Sequence, residues 1–451
     1  MGMFGVRRLS VLRMCSQALL AAVLLGSSTP AVAQLIERVS VDSSGAQGNN
    51  PSHWAAISAD GRYVAFDSSA DNLVTGDNNS ARDVFIHDRQ TRVTERVSVS
   101  SSEDEGTSDS WNSSISSDGR YVAFLSEAGD LVDGDTNGFV DVFIRDRQEG
   151  VTERVSVSSA EVEGNFDCFY RPSISADGNF VAFTSGADNL VVNDENATSD
   201  IFVRDRQAGA TERVSLDSDE VEGKERSLSP SISADGRYVA FVSLAGNLVE
   251  GDANYVYDIF VRDRQTGVTE RVSLDSDEVG GNEESDRPSI SADGRYVAFD
   301  SWSTNLVPGV TSGLLQIFLR DRQAGVTEWL SMNSAGVEGN GGSLRPSVSA
   351  DGAYVAFDSS AGDLVAGDGN GTPDVFVRNR LTGMTERVSV NSIGVEGNFD
   401  SVSPSISADG RLVAFMSSAA NFGDDTNNVS DIFVRIESGL IFSNGFEEVM
   451  K

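Results

Sequence analysis

The sequence predicts an all-β chain folded as a seven-bladed β-propeller of four-stranded blades, and three observations carry that prediction. The stretch Ser58-Ala59-Asp60-Gly61-Arg62-Tyr63-Val64-Ala65-Phe66 returns six more times, its Asp-Gly pair recurring at Asp118-Gly119, Asp177-Gly178, Asp235-Gly236, Asp293-Gly294, Asp351-Gly352 and Asp409-Gly410. The spacing is 58 residues with a single step of 59, and each period holds four short apolar runs separated by turn residues, with no helical periodicity. Lastly, Glu37-Arg38-Val39-Ser40-Val41 matches Glu95-Arg96-Val97-Ser98-Val99 but has no blade of its own, while the last blade ends near Arg435 without a fourth strand. The N-terminal strand is therefore expected to complete blade seven and close the ring, since an open solenoid would carry dissimilar capping repeats.

Along the chain, residues 1–33 read as a signal peptide: Arg7, Arg8 and Arg13, an apolar run over residues 18–25, then Ala31-Val32-Ala33 before Gln34. That apolar run is too short to span a bilayer, so no membrane span is expected in the mature chain. Cys168 alone would remain after cleavage, which leaves an exported protein without an internal disulfide. The propeller is placed at residues 34–437. In blade one the strands a, b, c and d are expected over residues 54–58, 63–68, 84–87 and 96–99. Asp-Gly between a and b suggests a two-residue type I′ turn. Strands b and c, as in Tyr238-Val239-Ala240-Phe241 and Ile259-Phe260-Val261, are apolar at consecutive positions, as strands covered on both faces are. Strand d, as in Thr152-Glu153-Arg154-Val155-Ser156-Val157, alternates charge with valine and suits the outer edge. Residues 438–451 form a tail outside the repeats.

The chain is strongly acidic, with a formal net charge of -35, and three of its positive charges lie in the leader. Nucleic acid is a poor partner for it, because Lys224 and Lys451 are the only lysines and the arginines are dispersed among carboxylates. A periplasmic or secreted monomer of a Gram-negative bacterium is expected, engaging an envelope or extracellular protein or polysaccharide.

The repeated Ser-Ala-Asp-Gly-Arg-Tyr-Val-Ala-Phe, followed by Asp258-Ile259-Phe260-Val261-Arg262-Asp263 and its counterparts, resembles the WD40-like (PD40), TolB-type propeller repeat over roughly residues 36–436. The usual form of that repeat is Ser-Pro-Asp-Gly-Lys-x-Ile-Ala-Phe. Here alanine, or Ser117 in blade two, stands at the family proline. The resemblance implies the fold and leaves function open, because propellers host many unrelated activities. Prolyl oligopeptidase relatives join a similar propeller to a hydrolase domain, yet no Gly-x-Ser-x-Gly elbow occurs here. Oligogalacturonate lyases also resemble this fold and use a histidine-rich metal site, whereas His53 and His87 are the only histidines of this chain. A non-enzymatic binding or scaffold role is the favoured expectation. The competing one is a carbohydrate-active hydrolase or lyase with a carboxylate site in the channel.

Two sets of candidate residues follow. The d to a loops vary most between blades and lead into the innermost strands, so His53, Trp54, Trp111, Phe169, Tyr170, Arg171, Arg287 and Arg345 are candidates for ligand contact around one mouth of the channel, with blade packing as the alternative for the aromatics. The b to c loops carry Asp77, Asn79, Asp83, repeated as Asp135, Asn137, Asp141; Asp194, Asn196, Asp200; Asp252, Asn254, Asp258; Asp368, Asn370, Asp374; and Asp425, Asn427, Asp431. In blade five Val310, Ser312 and Gln316 replace all three together, as loss of a shared ligand would require, while Asn305 still matches Asn72, Asp130 and Asn189. Calcium is the expected cation, and Asx turns that need no metal are the alternative.

Overall fold

In the computed structural model, residues 36–423 and 425–436 are described, and they form seven four-stranded antiparallel sheets. The expected leader, residues 34, 35 and 437 at the propeller's ends, and the tail lie outside the described residues. In blade one, strands a to d are Ser52–Ile57, Tyr63–Ser68, Asp83–Asp88 and Val93–Arg96. Ile36–Arg38 pairs antiparallel with Asp431–Ile436, so blade seven takes its outer strand from the other end of the chain. Ring closure is therefore as the strand count predicts.

The consecutive apolar runs of strands b and c are buried because neighbouring blades cover both of their faces. Phe66 and Phe85 stack at 6.0 Å with no exposed surface, and Phe124 with Phe143 and Phe241 with Phe260 repeat the pair. Each core lies between blades: Val39, Val64, Leu412 and Val434, from blades one and seven, share a single cluster.

Strand d begins three residues earlier than expected, at Val93. Thr94 anchors this early start through Ser43 and the Val41 carbonyl, and beyond the strand the buried Val99 bridges Glu105. The a to b turn also differs from the expected type I′. Only its glycine has positive φ, +72° at Gly61, and the Gly61 amide donates to the Ser58 carbonyl across Ala59 and Asp60. The Asp60 side chain makes the difference. It accepts the Ser58 hydroxyl at 2.7 Å and the Arg62 amide at 2.9 Å, which stabilises a longer loop.

The Asp-Gly glycine has a second duty between blades. A Cβ at Gly119 would fall on the Tyr63 ring of blade one, and the same holds for Gly178 on Tyr121, Gly294 on Tyr238 and Gly61 on Leu412. Beside it, the Ala59 amide donates to the Ser117 carbonyl, Ser117 to Ala176, and so on through Ala234, Ala292, Ala350 and Ala408 back to Ala59. These seven bonds of 2.9–3.1 Å close a ring around one end of the channel. They explain the absent proline, which has no N–H to give. Ala176→Pro is expected to cost about 1 kcal/mol for its one lost bond, a fall of roughly 2 °C by thermal melting.

Candidate binding site at the channel mouth

The innermost strand of every blade is interrupted by a bulge, seen as a register shift between His53 and Ala56 in blade one and at the same place in the other six. At each bulge one non-glycine residue takes a left-handed backbone: Trp54, Asn112, Tyr170, Ser229, Arg287, Arg345 and Ser403, with φ of 50–59°. Such backbone costs of order 1 kcal/mol or more per residue, and bulges re-aim side chains. The outcome is one re-aimed side chain per blade around the mouth, of five kinds over the seven blades.

Four of the eight expected ligand residues sit on this ring. Trp54 is 38 % and Tyr170 47 % exposed. The Arg345 guanidinium lies 5.9 Å from the Trp54 ring, spanning from blade six to blade one over the small Ser403 of blade seven. Arg287 and Arg345 each pair with an aspartate of their own strand b, Arg287 Nη1 to Asp300 at 3.1 Å and Arg345 Nη1 to Asp358 at 3.0 Å.

The other four lie behind the ring. His53 is half-buried with Nδ1 3.2 Å from Met416 Sδ, and its pKa is lowered by burial and by Arg82. Trp111 packs on the core between blades two and three beneath the Arg82 guanidinium, 5.3 Å away. Phe169 is half-buried with its ring 6.3 Å from that of Phe166. Arg171 is the residue added by the step of 59. It follows the bulge residue Tyr170 instead of occupying the bulge, and its guanidinium turns inward to donate to the carbonyls of Ser113, at 2.7 Å, and Ala55, at 3.2 Å. It therefore clamps blades one, two and three together, and burial lowers its pKa to about 10.

Sequence reasoning missed the aspartates beneath the ring. Asp67, Asp300 and Asp358 are buried on strand b, and each accepts the backbone N–H of the next blade's bulge residue, Asn112, Arg345 and Ser403 respectively. Burial raises Asp67 and Asp300 to about 7 and Asp358 to about 6, against the opposing pull of Arg82, Arg287 and Arg345. The signal available was a pairing inside the repeats, since blades five and six carry both the bulge arginine and the strand b aspartate.

These shifts set the pH dependence. A carboxyl raised in the folded state stays protonated there after its unfolded counterpart has ionised near pH 4, so stability falls as pH rises from about 4 to 7. Asp263 and Asp321, lowered by their hydrogen bonds to Arg237 and Arg295, act the other way and remove stability only below about pH 4. Melts from pH 3 to 8 are expected to peak near pH 4 to 5. A peak at pH 7 or above would mean that the buried aspartates are charged in the fold.

The b to c loop residues converge on an arginine from strand d of their own blade. In blade one, Arg96 Nη1 lies 3.5 Å from Asp77, 3.3 Å from Asp83 and 2.8 Å from Glu105. Arg154, Arg213 and Arg387 repeat the cage with their own two aspartates and a glutamate. Arg271 in blade four pairs with Asp252 and Asp258, with Gly280 at the glutamate position, and in blade seven Arg38 pairs with Asp431 while Gln47 bonds Asp425. The asparagine belongs to the turn: Asn79 donates to Asp83 and to the Gly106 carbonyl, and its own oxygen accepts the Ala81 amide. In blade five Trp329 stands in place of the arginine and donates to Gln316 at 3.2 Å. The concerted loss is thus the loss of an internal cation, and Asn305 survives because it serves another turn, accepting the Asn282 amide. Oxygens of Asp368, Asp374 and Glu396 lie within 4.8 Å of one another, the donor set of a metal site, with Arg387 among them. The two histidines do not converge: His53 is on strand a, whereas His87 is buried on strand c and bonds Thr94 at 2.8 Å.

No family model and no curated protein matches this chain. Among solved structures it is similar to oligogalacturonate lyase in complex with manganese, at 13 % identity over 90 % of this chain and 94 % of that one, with a TM-score of 0.53. It is similar to the β-propeller domain of the Trilobed protease from Pyrococcus furiosus, at 10 % identity over 86 % and 95 %, with a TM-score of 0.52. TolB from Acinetobacter baumannii matches at 15 % identity over 75 % and 64 %, with a TM-score of 0.41. At these identities the likeness is one of fold, a seven-bladed β-propeller.

Proposed function

We propose that this chain is a non-enzymatic binding module of the cell envelope or exterior, taking a protein or polysaccharide at the channel mouth. One observation carries the reading: a strained backbone position recurs in all seven blades while its side chain changes from Trp54 to Asn112, Tyr170, Ser229, Arg287, Arg345 and Ser403. Strain kept in place and varied only in side chain is what a scaffold presenting recognition groups would retain. Export rests on the leader, and the exclusion of nucleic acid on the net charge of -35. A TolB-type repeat rests on the repeated Ser-Ala-Asp-Gly motif.

The alternative is a carbohydrate-active hydrolase or lyase, supported by the raised carboxyl groups of Asp67, Asp300 and Asp358. Their backbone hydrogen bonds weigh against it, because the fold itself uses them. One experiment separates the two. The mature protein is incubated with envelope and exterior polysaccharides, and both retention and new chain ends are measured. Retention without new ends supports the binder. Turnover that disappears in Asp300→Asn supports the enzyme.

For the b to c loops, calcium is proposed as a supplement to the arginine. In four cages three carboxylates face one guanidinium, which leaves local negative charge for a hard cation. Calorimetry on chelator-treated protein should then show heat and a raised melting temperature at millimolar calcium. Absence of both would leave the arginine as the cages' sole cation.

A further inference from the structure

We infer that the ligand is a neutral glycan chain which leaves the channel mouth along an aromatic shelf on blades two and three; the inference rests on the channel-mouth reading. Phe139, in the b to c loop of blade two, stacks on Phe166 at 5.7 Å and 24°, and Phe166 meets Phe169 at 6.3 Å. Phe169 is followed in the chain by Tyr170, the residue that blade three contributes to the channel ring. Phe166 is 48 % exposed, although its seat is built for it. A Cβ on Gly186 would lie 2.7 Å from Phe166 Cδ1, and the positions matching Gly186 in the other blades hold Ser69, Glu127, Leu244, Trp302, Ser360 and Ser418. Gly186 is absent from the positive-φ residues, so its lack of a side chain serves the ring above it and not the backbone.

The chemistry of the shelf selects the class of ligand. Phe166 and Tyr170 are exposed while Phe139 and Phe169 are half-buried, and the exposed rings offer surfaces of negative π character to the C–H faces of pyranose units, leaving hydroxyl groups free for polar neighbours. Asn165 and Asp167 flank Phe166 in the chain, and burial together with the fields of Asp286 and Tyr257 raises the Tyr170 pKa against the opposing pull of Arg226 and Arg287. A chain of net charge -35 repels a polyanion, and the opposed charges at Tyr170 offer no preference to a polycation. A narrow line of rings also suits a linear ligand better than the broad face of a folded protein, whose stable interfaces bury about 800 Å² on each side.

The test is calorimetry of the mature chain with neutral hexasaccharides of the glucan, xylan and mannan series and the matching disaccharides. At least one series is expected to bind, with affinity rising with length. Phe166→Ala and Gly186→Ala should each weaken the hexasaccharide roughly tenfold, while disaccharide affinity stays unchanged. Trp54→Gly should weaken both lengths. If Phe166→Ala spares the hexasaccharide, the shelf is overturned and the channel mouth stands. If Trp54→Gly spares both lengths, the channel-mouth reading fails first. Binding only of charged polymers or of a peptide overturns the neutral-glycan inference.

Discussion

Deleting residues 36–41 is expected to lower the melting temperature by about 10 °C or more. Ile36, Glu37 and Arg38 pair with Arg435, Val434 and Phe433, and the Val39 amide donates to the Ile432 carbonyl, so several ladder bonds of roughly 1 kcal/mol each are lost. Val39 is fully buried in the cluster shared by blades one and seven, and removing it adds about 2 kcal/mol. The deletion also strips Arg38 from Asp431 and Ser40 from the same carboxylate, so this buried group keeps the Gln47 amide but loses its charged partner. At roughly 2 °C per kcal/mol the sum is far outside error. A truncated protein melting within about 2 °C of the full mature chain would show that the ring does not depend on this strand.

Arg154→Ala should cost about 3–5 kcal/mol, because it strands Asp135, Asp141 and Glu163 together at sites of low exposure. Burial and the neighbouring carboxylates already raise such groups; Asp77, Asp194 and Asp368 reach about 6. The variant should therefore recover most stability below pH 5, where the stranded aspartates protonate. Millimolar calcium should stabilise it more than the parent, since the competing guanidinium is gone. Equal melting of variant and parent at pH 7 would mean that the cages are surface decoration.

Much of the architecture was legible because each repeat states it again. Seven Asp-Gly pairs, the paired apolar runs and the orphan Glu37-Arg38-Val39-Ser40-Val41 correspond to seven turns, seven buried sheet centres and one closing strand. Local side-chain chemistry was harder to read. Asp60 lengthens its turn through its own carboxylate, and Thr94 pulls strand d earlier than the alternation of charge and valine suggests. Variable loop residues did lead to Trp54, Tyr170, Arg287 and Arg345, while Arg171, which also precedes Pro-Ser, proved to be an inserted clamp. The three aspartates beneath the ring were hidden inside a strand motif, and the cage arginine lies 13 residues beyond the second aspartate of the triad in blades one to four and six, and at the other end of the chain, as Arg38, in blade seven. Sequence separation of that size carries no signal in one copy. Its signal is that Trp329 occurs in the one blade without the triad.

The most direct measurement compares Trp54→Gly with the parent for both stability and ligand capture. Trp54 has φ of 51°, a conformation that glycine adopts freely and tryptophan does not. If the strained ring is kept for recognition, relief of the strain offsets part of the lost Trp54 contact, so the glycine variant melts within a few degrees of the parent and loses ligand affinity at least tenfold. A variant that melts several degrees lower while capturing ligand as before would contradict the account, since Trp54 would then be packing and the channel mouth no binding site.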